Sequence, residues 1–274
     1  MEFRTIVDIE DPGFRIGPCE ELLFVGSCFA DSIGRRFRDE KFRVTVNPDG
    51  VMYNPASILH TVERLVARFA GSPAVAFLTL GTNHVYRLKE TGEIVDNCQK
   101  RPQALFTEEL LTVDECADYL SRAVALLHGW NPQMHVVLTV SPIRYRKYGY
   151  HGSQLSKATL LLAVEELTAR PSANGPHPIY FPAYEIVQDE LRDYRFYKED
   201  MLHPSDQTVE YIWERLSETF LSAEAKTFLR EWAPLKAVLA HKPFHPESAD
   251  YQALMDKTML KVAALQKKYP NFAL

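Results

Sequence analysis

LLFVGSCFADSIG, residues 22–34, decides how the rest of the chain is read. Four apolar residues, Leu22 to Val25, stop at Gly26, and Ser27 and Cys28 follow side by side. A short apolar run bounded by glycine reads as a buried strand. The stretch after it places Ile33, Phe37 and Phe42 on one side and reads as a helix over 30–42. Two candidate nucleophiles therefore stand between the carboxyl end of a strand and the amino end of a helix.

The same alternation continues outward. Strands are predicted over 21–25, 43–46, 75–80, 134–140 and 179–181, and helices over 56–69, 112–128, 155–169 and 205–220. Asn54-Pro55 supplies a cap and a first-turn proline for the second helix. MHVVLTV, 134–140, is apolar enough to be a central strand covered on both faces. Alternating strands and helices imply an α/β fold, a three-layer α/β/α sandwich around a mainly parallel sheet. Reactive residues in such sheets gather beyond the carboxyl ends of the strands. Here those loops are 26–28, 47–50, 81–84, Ser141-Pro142 and the segment after Phe181. The last stretch differs: 223–240 and 248–268 read as two helices joined by HKPFHPE, with no further strand. The expected division is a domain over 1–222 and a helical extension, packed on it, over 223–274.

Composition narrows the function classes. With 274 residues, 46% hydrophobic and 24% charged, the chain can bury a sizeable core. A formal charge of −5 and the lack of a basic face argue against a nucleic-acid partner. The N-terminal MEFRTIVDIEDPGF has no apolar signal core and no run is long enough to span a membrane, so the expected location is cytoplasmic. Cys19, Cys28, Cys98 and Cys116 show no metal-type spacing, and no metal or organic cofactor is expected.

A second stretch, DMLHPS at 200–205, carries an acid and a base. Proline favours the first helical position, which would set His203 at the start of a helix. Asp200, three residues earlier, can accept a hydrogen bond from one imidazole nitrogen and leave the other free as a base, the logic of a catalytic triad. The plainer alternative is a surface histidine with a capping aspartate. Strand–GSC–helix is the matching nucleophile point.

FVGSCFADSIG resembles the defining motif of the GSCFA-domain family, which is grouped with the SGNH/GDSL hydrolases. VNPDGVMYNPASI, TLGTNHVYR, NCQKRP, LTVSPIRY, SKATLL and YEIVQDELRDYRFYKEDMLHPSD are similar to its further blocks, in order, so the resemblance spans about residues 11–213. It implies the SGNH-like fold, with Gly26-Ser27-Cys28 over the superfamily's Gly-Asp-Ser and Cys28 at the nucleophile position. It further implies Gly50 and Asn83 as oxyanion or substrate-binding groups, and Asp200 and His203 as the DxxH acid and base. Gln99 stands in a block where the family often carries histidine.

Between the two nucleophiles, register favours Cys28, and a thiol at a helix N-terminus beside histidine is expected to be partly ionised. Ser27 has a competing role as helix cap, and Cys28 as a buried space-filler. His84, Ser141, Arg144, Lys157 and the aromatic strip of Tyr180, Phe181, Tyr184, Tyr194, Phe196 and Tyr197 are read as structural or local. The resulting expectation is an acyl hydrolase, an esterase, thioesterase or carbohydrate O-acetyl esterase, acting on a small-molecule or carbohydrate ester. The alternative is a catalytically inactive SGNH-like module that binds a ligand or serves assembly.

Overall fold

The computed structural model describes residues 3–98, 100–170 and 174–273, so Gln99 lies outside it. The elements run β1 (Glu21–Gly26), α1 (Cys28–Asp39), β2 (Arg43–Val46), α2 (Pro55–Arg68), β3 (Val75–Leu80), β4 (His84–Leu88), β5 (Ile94–Val95) and β6 (Phe106–Leu110). They continue α3 (Val113–Trp130), β7 (His135–Val140), α4 (Gly149–Ala169), β8 (Ile179–Tyr180) and α5 (Ala183–Glu185), which runs on as a π-helix over Ile186–Leu191. The chain closes with α6 (Asp206–Phe220), α7 (Ala223–Ala240) and α8 (Ala249–Lys268).

Five strands form a wholly parallel sheet in the order β2-β1-β3-β7-β8. Because side chains alternate across a strand, each central strand feeds two cores. Leu22 and Phe24 of β1, Phe77 of β3 and Val137 of β7 pack with Phe37, Trp213 and Phe220 on the α1/α6 face. Leu23, Val25, Leu78 and Leu138 pack with Leu59, Val62, Leu120 and Leu160 on the α2/α3/α4 face. The three-layer α/β/α architecture expected from the sequence is present. The register Gly26↔Thr79 and Leu80↔Val140 brings β1, β3 and β7 to a common carboxyl edge.

Two features differ from the sequence reading. Between β3 and α3 the chain builds a separate antiparallel sheet, β5-β4-β6, where no element was predicted. The α6 helix starts at Asp206, with Ser205 as N-cap accepting from the Thr208 amide at 3.2 Å. Pro204 therefore precedes the cap instead of opening the helix; it sits in a bridge with Tyr197. None of the described helices is long and apolar enough to cross a membrane.

Candidate active site

Each residue of the Gly26–Ala30 motif has its own physical reason. Gly26 has φ +141°, and a Cβ there would lie 2.1 Å from the Thr79 carbonyl oxygen, so only glycine lets β1 run this close to β3. Ser27 is the N-cap of α1: its Oγ accepts from the Phe29 amide at 3.3 Å and pairs with Thr79 Oγ1 at 3.0 Å. Its hydroxyl is fully buried and engaged within the fold. Cys28 opens the helix and is half-buried, while Phe29 and Ala30 enter the core. Asn47, at the end of β2 with φ +39°, clamps the turn. Its Oδ1 accepts from the Gly26 amide at 2.8 Å and its Nδ2 donates to Asp31 at 2.7 Å. The sequence reading saw Asn47 only as part of a turn.

The Cys28 thiol is not the pre-ionised group expected. Burial pushes it up to about 11; its own backbone amide and Lys157 pull down, while Asp31 and Asp200 push up. Desolvation of the charged form outweighs the helix N-terminus, so at neutral pH Cys28 is a thiol.

Asp200 and His203 meet as predicted in type: His203 Nδ1 lies 2.6 Å from Asp200 Oδ2, and Asp200 Oδ1 also accepts from the Leu202 and His203 amides at 2.8 and 3.0 Å. Those amides, then the imidazole, hold the Asp200 carboxyl well below the usual carboxylate range. An ionised carboxylate only accepts, so Nδ1 carries the proton and Nε2 is the free nitrogen. The loop is tied to the end of β7. Arg144 donates its amide to Leu202 O and its guanidinium to Met201 O, both at 3.1 Å, and stacks over Tyr150 and Tyr197 at 4.3 and 5.3 Å. Among the described residues no hydrogen bond joins Cys28 to His203, although the Asp200 charge is felt at the thiol. Catalytic hydrogen bonds are commonly long without substrate.

The two expected oxyanion donors are occupied elsewhere. The Gly50 amide, at φ +92°, closes a turn onto Asn47 O at 2.8 Å. Asn83 donates Nδ2 to Leu111 O at 2.7 Å, and its own carbonyl accepts from the Leu111 amide at 3.0 Å. Asn83 leads into the inserted sheet, and closing that sheet onto α3 takes one of its two side-chain N–H groups and turns the amide toward Leu111.

Residues outside the predicted set stand at the same carboxyl edge of the sheet. Lys157 of α4 is buried, and its Nζ donates to Gly81 O at 2.7 Å and Ser141 O at 2.6 Å, clipping the ends of β3 and β7 together. Burial lowers its ammonium to about 7. The spacing Ser153, Lys157, Leu160, Val164, Leu167 puts a lysine on the buried stripe of the helix, which was the available signal. Tyr53 and Tyr145, edge to face at 6.1 Å, have their phenols raised by burial and then by Cys28. Both also form the inner wall of a cleft of about 520 Å³ roofed by the inserted sheet through Tyr86 and Phe106. His84 lines it too, stacked on Tyr148 at 3.4 Å and bonded to Glu108 at 2.9 Å. Ser141 is fully buried, its hydroxyl accepting from the Ile143 amide at 3.3 Å. Among the described residues no cluster of His, Cys, Asp and Glu is arranged to hold a metal ion.

The GSCFA family profile matches residues 21–73 and 66–216. The chain belongs to the GSCFA family. The profile of the GSCFA domain protein C-terminal domain matches 232–274, over α7 and α8. No curated protein matches the chain. Among solved structures, this GSCFA chain is similar to a carbohydrate esterase family 2 enzyme with a carbohydrate binding domain from Corynascus thermopiles (Myceliophthora fergusii). There the identity is 13% and the TM-score 0.46, over 74% of this chain and 66% of that chain. A carbohydrate esterase family 3 protein from Talaromyces cellulolyticus matches at 10% identity and TM-score 0.42, over 77% and 99%. A catalytic mutant of Axe2, an acetylxylan esterase from Geobacillus stearothermophilus, matches at 15% identity and TM-score 0.42, over 76% and 98%.

Proposed function

We propose that this GSCFA protein is an acyl hydrolase in which Cys28 attacks an ester or thioester carbonyl. His203 takes the thiol proton through Nε2 as the sulfur–carbon bond forms, then returns it to the departing alkoxide or thiolate. Water, deprotonated by the same imidazole, hydrolyses the acyl-enzyme, and Asp200 holds His203 in the required tautomer. The observation that carries this reading is the Asp200–His203 pair, 2.6 Å apart, on a loop pinned to the sheet edge where Cys28 stands. A thiol raised to about 11 needs such a base, because it has no ready supply of thiolate. Ser27 is the weaker nucleophile, since its hydroxyl is buried and bonded to Thr79. The family resemblance points to an O-acetylated sugar or another small ester as substrate.

A binding module is the competing reading, favoured by the protonated thiol and by the engaged Gly50 and Asn83 donors. The two separate on short-chain aryl esters and thioesters offered to wild type, Cys28→Ala, Ser27→Ala and His203→Ala. Hydrolysis by wild type and loss of roughly a hundredfold or more in Cys28→Ala and His203→Ala supports catalysis. Equal background rates in all four proteins support binding alone.

A further inference from the structure

We propose that Lys157 and the Tyr145 hydroxyl form the anion-holding wall of this crevice, facing negative charge that develops at Cys28. The inference rests on the acyl-hydrolase reading only for what that charge is, a thiolate and then an oxyanion. Lys157 is buried without an ion-paired carboxylate among the described residues, its partners being two neutral carbonyls at 2.7 and 2.6 Å. An ammonium has three N–H groups, and these bonds use two. Tyr145 Oη is buried with no partner, beside Gly81, where a Cβ would fall 2.3 Å from it. The ring lies 5.1 Å from Nζ. Cys28 stands two residues past Gly26, whose register partner is Thr79, and Gly81, two residues past Thr79, carries both the carbonyl that Lys157 holds and the close approach of Tyr145 Oη, so all three groups share one end of the neighbouring strands β1 and β3. Burial is the larger cause in both, but the thiol also raises Tyr145 and supports the protonated form of Lys157. Two donors with spare capacity thus stand at the strand end that carries the thiol, where the Gly50 amide is spent on Asn47 O and Asn83 is turned to Leu111 O. A buried cation worth its desolvation cost needs an anion for at least part of its working cycle.

The test reads local potential instead of turnover. Cys28 is alkylated with neutral iodoacetamide and with anionic iodoacetate, and modification at Cys28 is quantified by peptide mapping, which separates it from half-buried Cys98. Both reagents need the same thiolate, so their rate ratio isolates the field. The charged and titratable groups around the sulfur are Asp31, Asp200 with its partner His203, Lys157, Tyr53 and Tyr145, and Lys157 lies over the Tyr145 and Tyr184 rings; His203→Ala is the control that removes the imidazole. In wild type, and equally in His203→Ala, the iodoacetate/iodoacetamide ratio should fall about threefold or more as pH rises from 6 to 8. It should already be low and flat in Lys157→Met, and should stay high at pH 8 in Lys157→Arg, which keeps its charge. A ratio in Lys157→Met that matches wild type at pH 6 overturns the inference. If Lys157→Met does not fold, a pH-independent ratio in wild type does the same. Ester hydrolysis retained by Cys28→Ala at the wild-type rate would, by contrast, end the reading of Cys28 as the attacking group and leave this ratio untouched.

Discussion

Ser27 and Cys28 are adjacent but differ in setting: the Ser27 hydroxyl is buried and closes the helix end, while Cys28 is only half-buried. Ser27→Ala removes a cap worth about 1 kcal/mol, together with the Thr79 contact, so it should lower the urea midpoint while leaving any ester hydrolysis near wild type. Loss of activity at unchanged stability would reverse the assignment of the two side chains. Lys157 makes a prediction of opposite kind. Its folded value of about 7 lies below the unfolded 10.5, so above neutrality the unfolded chain holds a proton that the native one has released. Stability should therefore rise with pH from about 7, by at most roughly 1.4 kcal/mol per unit, and Lys157→Met should lack that slope. Cys19, Cys28 and Cys116, raised to about 12, 11 and 12, act in reverse once unfolded thiols ionise near 8.5. Urea unfolding of both proteins at pH 7 to 8.5 isolates the lysine; parallel curves would show that it does not titrate there. The residues legible in sequence were those with a local signature: a glycine at a strand break, a serine before a helix, an aspartate three residues from a histidine. Lys157 shows in sequence only its place on the apolar stripe of α4; what it holds, Gly81 O and Ser141 O, lies 76 and 16 residues away and is not legible there.

The π-helix, the 141–148 segment and the 200–205 loop are all held by contacts with other parts of the chain. Arg144 shows how: its amide, guanidinium and stacked tyrosines hold the His203 loop against β7. Arg144→Ala should free that loop and lower kcat about tenfold with KM nearly unchanged, since it misplaces the base without touching the cleft. An unchanged kcat would mean that Asp200 alone sets the loop. The parallel strands were readable because Val, Leu and Phe fill both faces of β1, β3 and β7. The inserted sheet was not: HVYRL and FTEEL are short, half-exposed and rich in charge. Their pairing is non-local, from His84↔Leu110 to Leu88↔Phe106, and no turn signature announces it. The effect of that sheet is to roof the cleft beside Tyr53 and Tyr145 and to hold the Asn83 side chain on Leu111.

Across the molecule, α1 carries the thiol at one end and receives the C-terminal helices at the other. Phe228, Trp232, Tyr269 and Phe272 join the core that Phe37 and Phe42 begin, with Phe42 and Phe228 6.3 Å apart. Trp232 Nε1 donates to Asp39 O at 3.3 Å, Lys236 pairs with Glu40 at 2.9 Å, and the Ala273 amide reaches Lys41 O at 3.2 Å. Trp232 and Ala273 thereby satisfy carbonyls that the end of α1 leaves open, Lys236 neutralises the Glu40 carboxylate there, and the C-terminal rings bury aromatic surface that β2 alone would not cover. The helices are therefore expected to unfold together with the sheet. Trp232→Ala should cost about 3–5 kcal/mol in urea unfolding, still as one transition followed identically by tryptophan fluorescence and far-UV circular dichroism. Trp232→Phe keeps most of the packing, loses the bond to Asp39 and should cost about 1 kcal/mol. A separate early transition in Trp232→Ala, with the remaining structure melting where wild type does, would instead make α7 and α8 an independent appendage. The support they give the thiol-bearing helix would then have to come from the sheet alone.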